Sequence, residues 1–376
     1  MTRSASINGR ERASRSWTRF LLCCLVGCAE AHEVPHPSPD GLSTCRSSVP
    51  RLVRELAAGT EWRFPTATPL AGDDAGILIG VTQRVADGEP AFVTFVLDAA
   101  GRWLSTTILA EHGELGTVSR DENSPYAIFD DGGGRCLYAN LASDGSLRGE
   151  LTFLDVETFR CRQTATARVG DKLALLARYT FGRDGVPGKL GAPPLDVGVA
   201  FELPGLESGG LITVAGAFAA ATMEPSLVQT FSLDIEGNVG ELRLRHAPRE
   251  EPIAARLISP DTLVLVTQEG RAGDITIELI SAGGSVASVS LPGMLDGVAA
   301  AIDDIRSHSA TAVAWRDWRA GQHRLALLWK SESGWESENI YVGAGPAEVA
   351  VSGTPTGAVI VWLVRDEVWS LVLTCS

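Results

Sequence analysis

Few residues in this chain combine a reactive type with a telling spacing, and Cys28 comes first. Its thiol follows Leu25-Val26-Gly27, the end of a short apolar run from Phe20 to Gly27. Ahead of that run, Arg3, Arg10, Arg12, Arg15 and Arg19 are opposed only by Glu11. The run is too short to span a bilayer, and basic residues before a short apolar core mark a segment that is exported and cut. His32 and His36 stand four apart with Glu33 between them, a set that on a helix would hold zinc and activate its water. Pro35 sits inside that turn and breaks it, so the segment reads as spacer. Asp130-Asp131-Gly132-Gly133-Gly134 could offer carboxylates to calcium, but the alternating acids of a calcium loop are absent and Asp-Gly is hairpin chemistry. Asp73-Asp74 and Asp303-Asp304 read the same way. His112, His246, His308 and His323 are scattered, and no G-x-S-x-G elbow, phosphate loop or dinucleotide glycine pattern occurs. No metal and no cofactor is expected.

The Leu25–Cys28 segment resembles the lipobox of bacterial lipoproteins. The resemblance implies cleavage before Cys28, a diacylglycerol thioether on its sulfur and an acylated α-amine. Each buried CH₂ contributes ~0.8 kcal/mol, so several chains anchor firmly where one would hold only marginally. This divides the sequence into a signal peptide (1–27), a lipidated cysteine with a Pro-rich tether (28–44) and a folded body (45–376). Between Ala29 and Ser43, Pro35, Pro37 and Pro39 interrupt fifteen residues that show no hydrophobic period. Fully extended, such a tether reaches ~45 Å. The expected location is outside the cytoplasm, anchored by lipid to the bacterial cell membrane or outer membrane and facing the periplasm or the cell surface.

Without its first 27 residues the chain carries 27 basic and 45 acidic groups, a net charge of −18. Such a surface repels nucleic acid, and no basic cluster reverses it locally. Cys23 and Cys24 leave with the signal. Cys45, Cys136, Cys161 and Cys375 remain, an even number in an exported chain, where disulfides persist. Three connectivities are open to them. The expected one pairs Cys136 with Cys161 across a hairpin turning near Ser143–Gly145, and Cys45 with Cys375 so that the chain ends are fastened together.

The elements that must position any site are short. Ile77–Val81, Phe92–Leu97, Leu137–Leu141, Leu173–Ala177, Val197–Leu203, Leu227–Leu233, Leu263–Val266, Ile275–Ile280, Leu325–Trp329, Ala358–Leu363 and Val368–Leu373 all read as strands. Many are apolar at successive positions, which implies sheets covered on both faces. A faint repeat joins Phe95-Val-Leu-Asp98-Ala-Ala-Gly101-Arg-Trp103 to Phe231-Ser-Leu-Asp234-Ile-Glu-Gly237-Asn-Val239, with shorter echoes at Leu141–Gly145, Glu278–Gly283 and Leu328–Trp335. Ala312-Val-Ala-Trp315 returns as Val359-Ile-Val-Trp362, 47 positions on. A degraded copy falls between Cys161 and Thr222. The body therefore holds about seven units of about 46 residues.

Seven such units resemble a β-propeller, an all-β fold of about seven four-stranded blades; a tandem β-sandwich is the alternative. The last unit ends after its third strand, Val368–Thr374. The expected closing strand is Trp62–Thr68, with Val53–Ala58 before it either a short helix or a further strand. Ser232–Gly237 resembles the Asp-box turn of sialidase-like propellers, although its spacing differs by one residue and the tryptophan is missing. A sialidase would need three arginines and a tyrosine nucleophile; only Tyr126, Tyr138, Tyr179 and Tyr341 are available.

Arg316-Asp317-Trp318-Arg319-Ala320-Gly321-Gln322 reads as a loop between the second and third strands of a unit, with Arg84–Pro90, Glu269–Asp274 and Arg365–Glu367 as counterparts. In register, these loops share one rim. Arg84, Arg271, Arg316, Trp318, Arg319 and Arg365 are the candidate binding residues, arginines with one aromatic, a composition that carries binding energy. Trp315, Trp329, Trp362 and Trp369 read as packing. The expected function is a lipid-anchored scaffold, monomeric, binding a protein or glycan; a propeller hydrolase or lyase of polysaccharide and a structural subunit of an envelope complex are the alternatives. No residue is assigned a catalytic role.

Overall fold

The computed structural model describes residues 45–375, apart from 72–75, 87, 121–123, 155–163, 170, 178–184, 205–209, 213–217, 225–226, 260–261, 271–272, 282, 304–307, 332–333 and 355. Runs of Val, Leu, Ile and Phe broken by Gly, Asp and Ser favour strands joined by tight turns. Accordingly, the described residues hold 29 strands and no helix. Nine of the eleven apolar segments read as strands from sequence lie wholly within strands here; Leu137–Leu141 runs one residue past its strand, and Val197–Leu203 begins two residues before its own.

The chain enters through two short strands, β1 (Cys45–Ser47) and β2 (Arg51–Glu55). Six four-stranded antiparallel meanders follow. The first sheet is β3 (Thr60–Pro69), β4 (Ile77–Val85), β5 (Ala91–Leu97) and β6 (Trp103–Ala110). The second is β7 (Glu114–Arg120), β8 (Pro125–Asp130), β9 (Cys136–Asn140) and β10 (Thr152–Leu154). The third is β11 (Thr164–Val169), β12 (Lys172–Ala177), β13 (Gly185–Gly191) and β14 (Val199–Pro204), the unit whose repeat is hardest to see in sequence. The fourth is β15 (Gly210–Ile212), β16 (Phe218–Glu224), β17 (Leu227–Leu233) and β18 (Val239–His246). The fifth is β19 (Glu251–Ser259), β20 (Thr262–Gln268), β21 (Ile275–Ser281) and β22 (Gly284–Leu291). The sixth is β23 (Met294–Asp303), β24 (His308–Asp317), β25 (Gln322–Ser331) and β26 (Gly334–Gly343). The seventh has only β27 (Glu348–Thr354), β28 (Gly357–Val364) and β29 (Glu367–Cys375) from this end of the chain.

Its remaining strands come from the other end. β1 and β2 both pair antiparallel with β29, and Cys45 stands directly opposite Cys375. Those two cysteines form a disulfide that joins positions 330 apart. This corrects the expected closing strand: Trp62–Thr68 lies in β3, the first strand of the first sheet, and it is β1 and β2 that pair with β29. The reason is burial. Trp62 is 4 % exposed, stacked with Phe95 at 5.2 Å and Trp103 at 6.0 Å, and an outer edge cannot cover an indole that fully. The segment beginning at Val53 is a strand as far as Glu55. Cys136 is also disulfide-bonded, and Cys161, its expected partner, lies outside the described residues.

Apolar side chains cover both faces of the central strands. Along β28, Ala358, Ile360, Trp362 and Val364 pack with the sixth sheet, while Val359, Val361 and Leu363 pack with the first. Each fully buried Val, Leu or Ile contributes roughly 1.5–3 kcal/mol, so successive apolar residues in one strand bind two neighbouring sheets at once. The first strands follow the same succession: β3 lies against β7, β7 against β11, and so on to β23 against β27, which lies against β3.

The repeated turns are the second joint between sheets. In the β5–β6 hairpin, Asp98 accepts the N–H groups of Ala100 and Arg102 and binds the Arg102 guanidinium at 2.7 Å. Asp234 does the same with Glu236 and Asn238 in the β17–β18 hairpin. Three of these turns rest on the preceding sheet. Ser370 of the seventh donates its hydroxyl to Gly101 of the first, Thr94 of the first to Gly145 of the second, and Lys172 of the third its ammonium to Ile235 of the fourth. Gly101 has φ +71° and a methyl there would stand 2.8 Å from the Ser370 hydroxyl, so the close approach requires glycine.

Candidate functional site

The segments expected to form a rim fall in second-to-third hairpins. The segments from Arg84, Glu269, Arg316 and Arg365 join β4–β5, β20–β21, β24–β25 and β28–β29, the same two strands of four different sheets. Arg271 lies outside the described residues. Arg84, next to last in β4, forms an ion pair with Glu114 at 3.3 Å. Arg365 is exposed at φ +56° in its turn.

The β24–β25 hairpin is braced by its own side chains. The Asp317 carboxylate accepts the N–H groups of Arg319 (3.0 Å) and Ala320 (3.3 Å), and its other oxygen lies 3.2 Å from Arg324 Nε. Gly293, from the connection between β22 and β23, lies against the backbone of Arg316 and Asp317, and its carbonyl accepts from the buried Gln268 side chain at 3.3 Å. On that support Trp318 is 54 % exposed, with the Arg319 guanidinium 5.2 Å from its ring centre. Trp315, Trp329 and Trp362 are buried between sheets, and Trp369 packs against the same core. They serve packing, as read from sequence.

Sequence reasoning missed a belt of ion pairs near the start of the first strands. Glu348 opens β27; its carboxylate binds Arg63 at 2.9 Å and accepts the backbone N–H of Phe64. Arg63 also pairs with Glu61. Those two carboxylates, Glu348 foremost, hold the guanidinium above its ordinary value. Glu61 stands opposite Arg84, and Glu114 stands opposite the fully buried Asp130. The belt therefore crosses the seventh, first and second sheets. Phe64 (φ +54°) and Leu115 (φ +51°) lie at irregularities in β3 and β7, left-handed positions that large side chains rarely take. Their N–H groups are met by side chains of the neighbouring sheet, Glu348 for Phe64 and Thr82 for Leu115 at 2.9 Å. One signal was available: glutamate stands first or second in β3, β7, β19 and β27.

The other motifs resolve locally. Asp130 and Asp131 accept the N–H groups of Gly132, Gly133, Gly134 and Arg135, so their segment is a hairpin turn. Burial would push the Asp131 carboxyl up; the Gly133 N–H and the Arg135 side chain outweigh it and hold it below the ordinary value. Tyr126 and Tyr138 are buried between sheets, and Tyr341 donates to the Gly345 carbonyl at 3.0 Å. His112 meets Glu89, and His246 lies 3.4 Å from Glu278, on different sheets. Cys28, His32, His36, Asp73, Asp74, Tyr179 and Asp304 lie outside the described residues. No protein family matches this chain, and no curated protein shows a significant match to it.

Proposed function

We propose that this protein is an exported, lipid-anchored binding scaffold, a monomeric seven-bladed β-propeller whose second-to-third hairpins dock a protein or glycan. The propeller is supported by seven sheets of like strand order, by central strands apolar on both faces, and by first strands whose succession returns from β27 to β3. A tandem sandwich would leave one face of each sheet to water. Export is supported by the Leu25–Cys28 segment and by a disulfide, a bond that persists in oxidising compartments. No helix among the described residues is long and apolar enough to cross a membrane. At a net charge of −14, nucleic acid is an unfavourable partner.

Trp318 carries the binding reading: a tryptophan more than half exposed on an internally braced turn. Recognition is favoured over catalysis because Glu114 and Glu348 are engaged by Arg84 and Arg63. A photo-crosslinker at position 318 in cells is expected to give an adduct of defined mass, absent when the crosslinker is at Glu236 in a third-to-fourth hairpin. Equal yields from both positions would overturn the rim. For the anchor, Cys28→Ser is expected to abolish palmitate labelling and release the protein from membranes; retained label would remove lipidation from the proposal.

A further inference from the structure

Trp318 is the one tryptophan with a described side chain that is more than half exposed. Between residues 316 and 324 the chain carries three arginines and one aspartate, a local charge of +2 on a molecule of −14. Asp317 engages Arg324. Among the described residues Arg316 and Arg319 have no acidic partner, and both are exposed. The turn is already fixed by Asp317 and Gly293, so binding there orders little additional chain.

We infer that the Trp318 hairpin is a binding site for a carboxylated sugar, the uronate unit of an acidic polysaccharide. This rests on the scaffold reading and names its ligand class. A pyranose ring has a flat face of C–H groups that stacks on an indole, and it needs an open platform. The Trp318 ring is more than half exposed, with the Arg319 guanidinium over one face, whereas an aromatic hot spot for a folded protein is buried in a well-packed pocket. The sugar carboxylate matches the fork of the Arg319 guanidinium, which takes two oxygens side by side. Arg316 adds the second positive charge. An anion approaching a chain of this net charge is repelled elsewhere, so the local +2 directs it to this turn. An anionic membrane surface is the competing partner, but a molecule of net charge −14 is repelled by a broad anionic sheet more than by a single sugar unit.

The test uses the purified full-length protein and follows Trp fluorescence and calorimetry with three probes: an oligogalacturonate, a neutral malto-oligosaccharide of equal length, and a short-chain phosphatidylglycerol. The oligogalacturonate is expected to bind at least ten-fold more tightly than the neutral sugar and to weaken as salt is raised. Trp318→Ala and Arg319→Gln are each expected to weaken it at least ten-fold with unchanged melting temperatures. Equal affinity for the neutral sugar, an unaffected Trp318→Ala variant, or tighter binding of the phospholipid would each overturn the proposal. If the uronate fails while position 318 still captures a partner in cells, the sugar is wrong and the scaffold stands; if both fail, both fall.

Discussion

Asp98 shows how a single carboxylate is used in this fold. Burial would raise its carboxyl, but the Arg102 N–H, the Arg102 guanidinium and the Ala100 N–H hold it below its ordinary value. A carboxylate lowered on folding contributes stability above the unfolded value and loses it as pH falls through the folded one. Asp98→Asn is therefore expected to cost about 1 kcal/mol at pH 7, screening included, with the deficit closing below about pH 4. Urea melts at both pH values check this, and a deficit that persists in acid would assign the loss to turn geometry rather than charge. The neighbouring glycine has a different role. Gly101→Ala adds a left-handed penalty of about 1 kcal/mol and a methyl against Ser370, whereas Gly132→Ala at φ +84° meets no atom within 4 Å. Gly101→Ala is expected to lower the melting temperature more than Gly132→Ala; equal losses would mean that the turn does not seat on the seventh sheet. Asp98, Gly101 and Trp318 were legible because turn chemistry is local. Arg63 and Glu348 were not, because 285 positions separate them.

Among elements, legibility followed position within the sheet. Ile77–Val81, Phe92–Leu97 and Ala358–Leu363 belong to second or third strands, apolar on both faces, and could be read directly. β2 could not: Arg51-Leu52-Val53-Arg54-Glu55 carries three charges in five residues and becomes a strand by pairing with β29. Its charges are suited to an outer edge, where they discourage pairing with other chains. Arg54 then reaches the first sheet, bonding Thr106 at 3.1 Å and lying 4.6 Å above the Trp103 ring. Cys375→Ser keeps these contacts and removes only the crosslink, an expected loss of about 2–5 kcal/mol. Deletion through Glu55 removes the crosslink, both strands and the Arg54 contacts, so it is expected to melt at a lower temperature still. Should the two variants melt together, β1 and β2 would add nothing beyond their disulfide.

At the scale of the whole molecule, the question is whether stability runs once around the seven sheets or sheet by sheet. Stacked repeats with free ends are stabilised by nearest neighbours, and damage to one unit stays near it. A closed succession has no end, and the Trp62 cluster lies where it would close: Trp62, Phe95 and Val93 of the first sheet pack with Val359, Val361 and Val368 of the seventh. The Trp62 indole N–H is bonded to Gln83 at 3.0 Å, so its loss also leaves a polar group to be met by water. Trp62→Ala is expected to cost about 3–5 kcal/mol, as for other buried aromatic truncations. Amide hydrogen exchange distinguishes the two arrangements, since it reports opening segment by segment. Closure predicts faster exchange in β3–β6, in β27–β29 and, through them, in the sheets between, with one unfolding transition retained. Faster exchange confined to β3–β6 would mean that the sheets are stacked without closure, and the propeller would have to be given up.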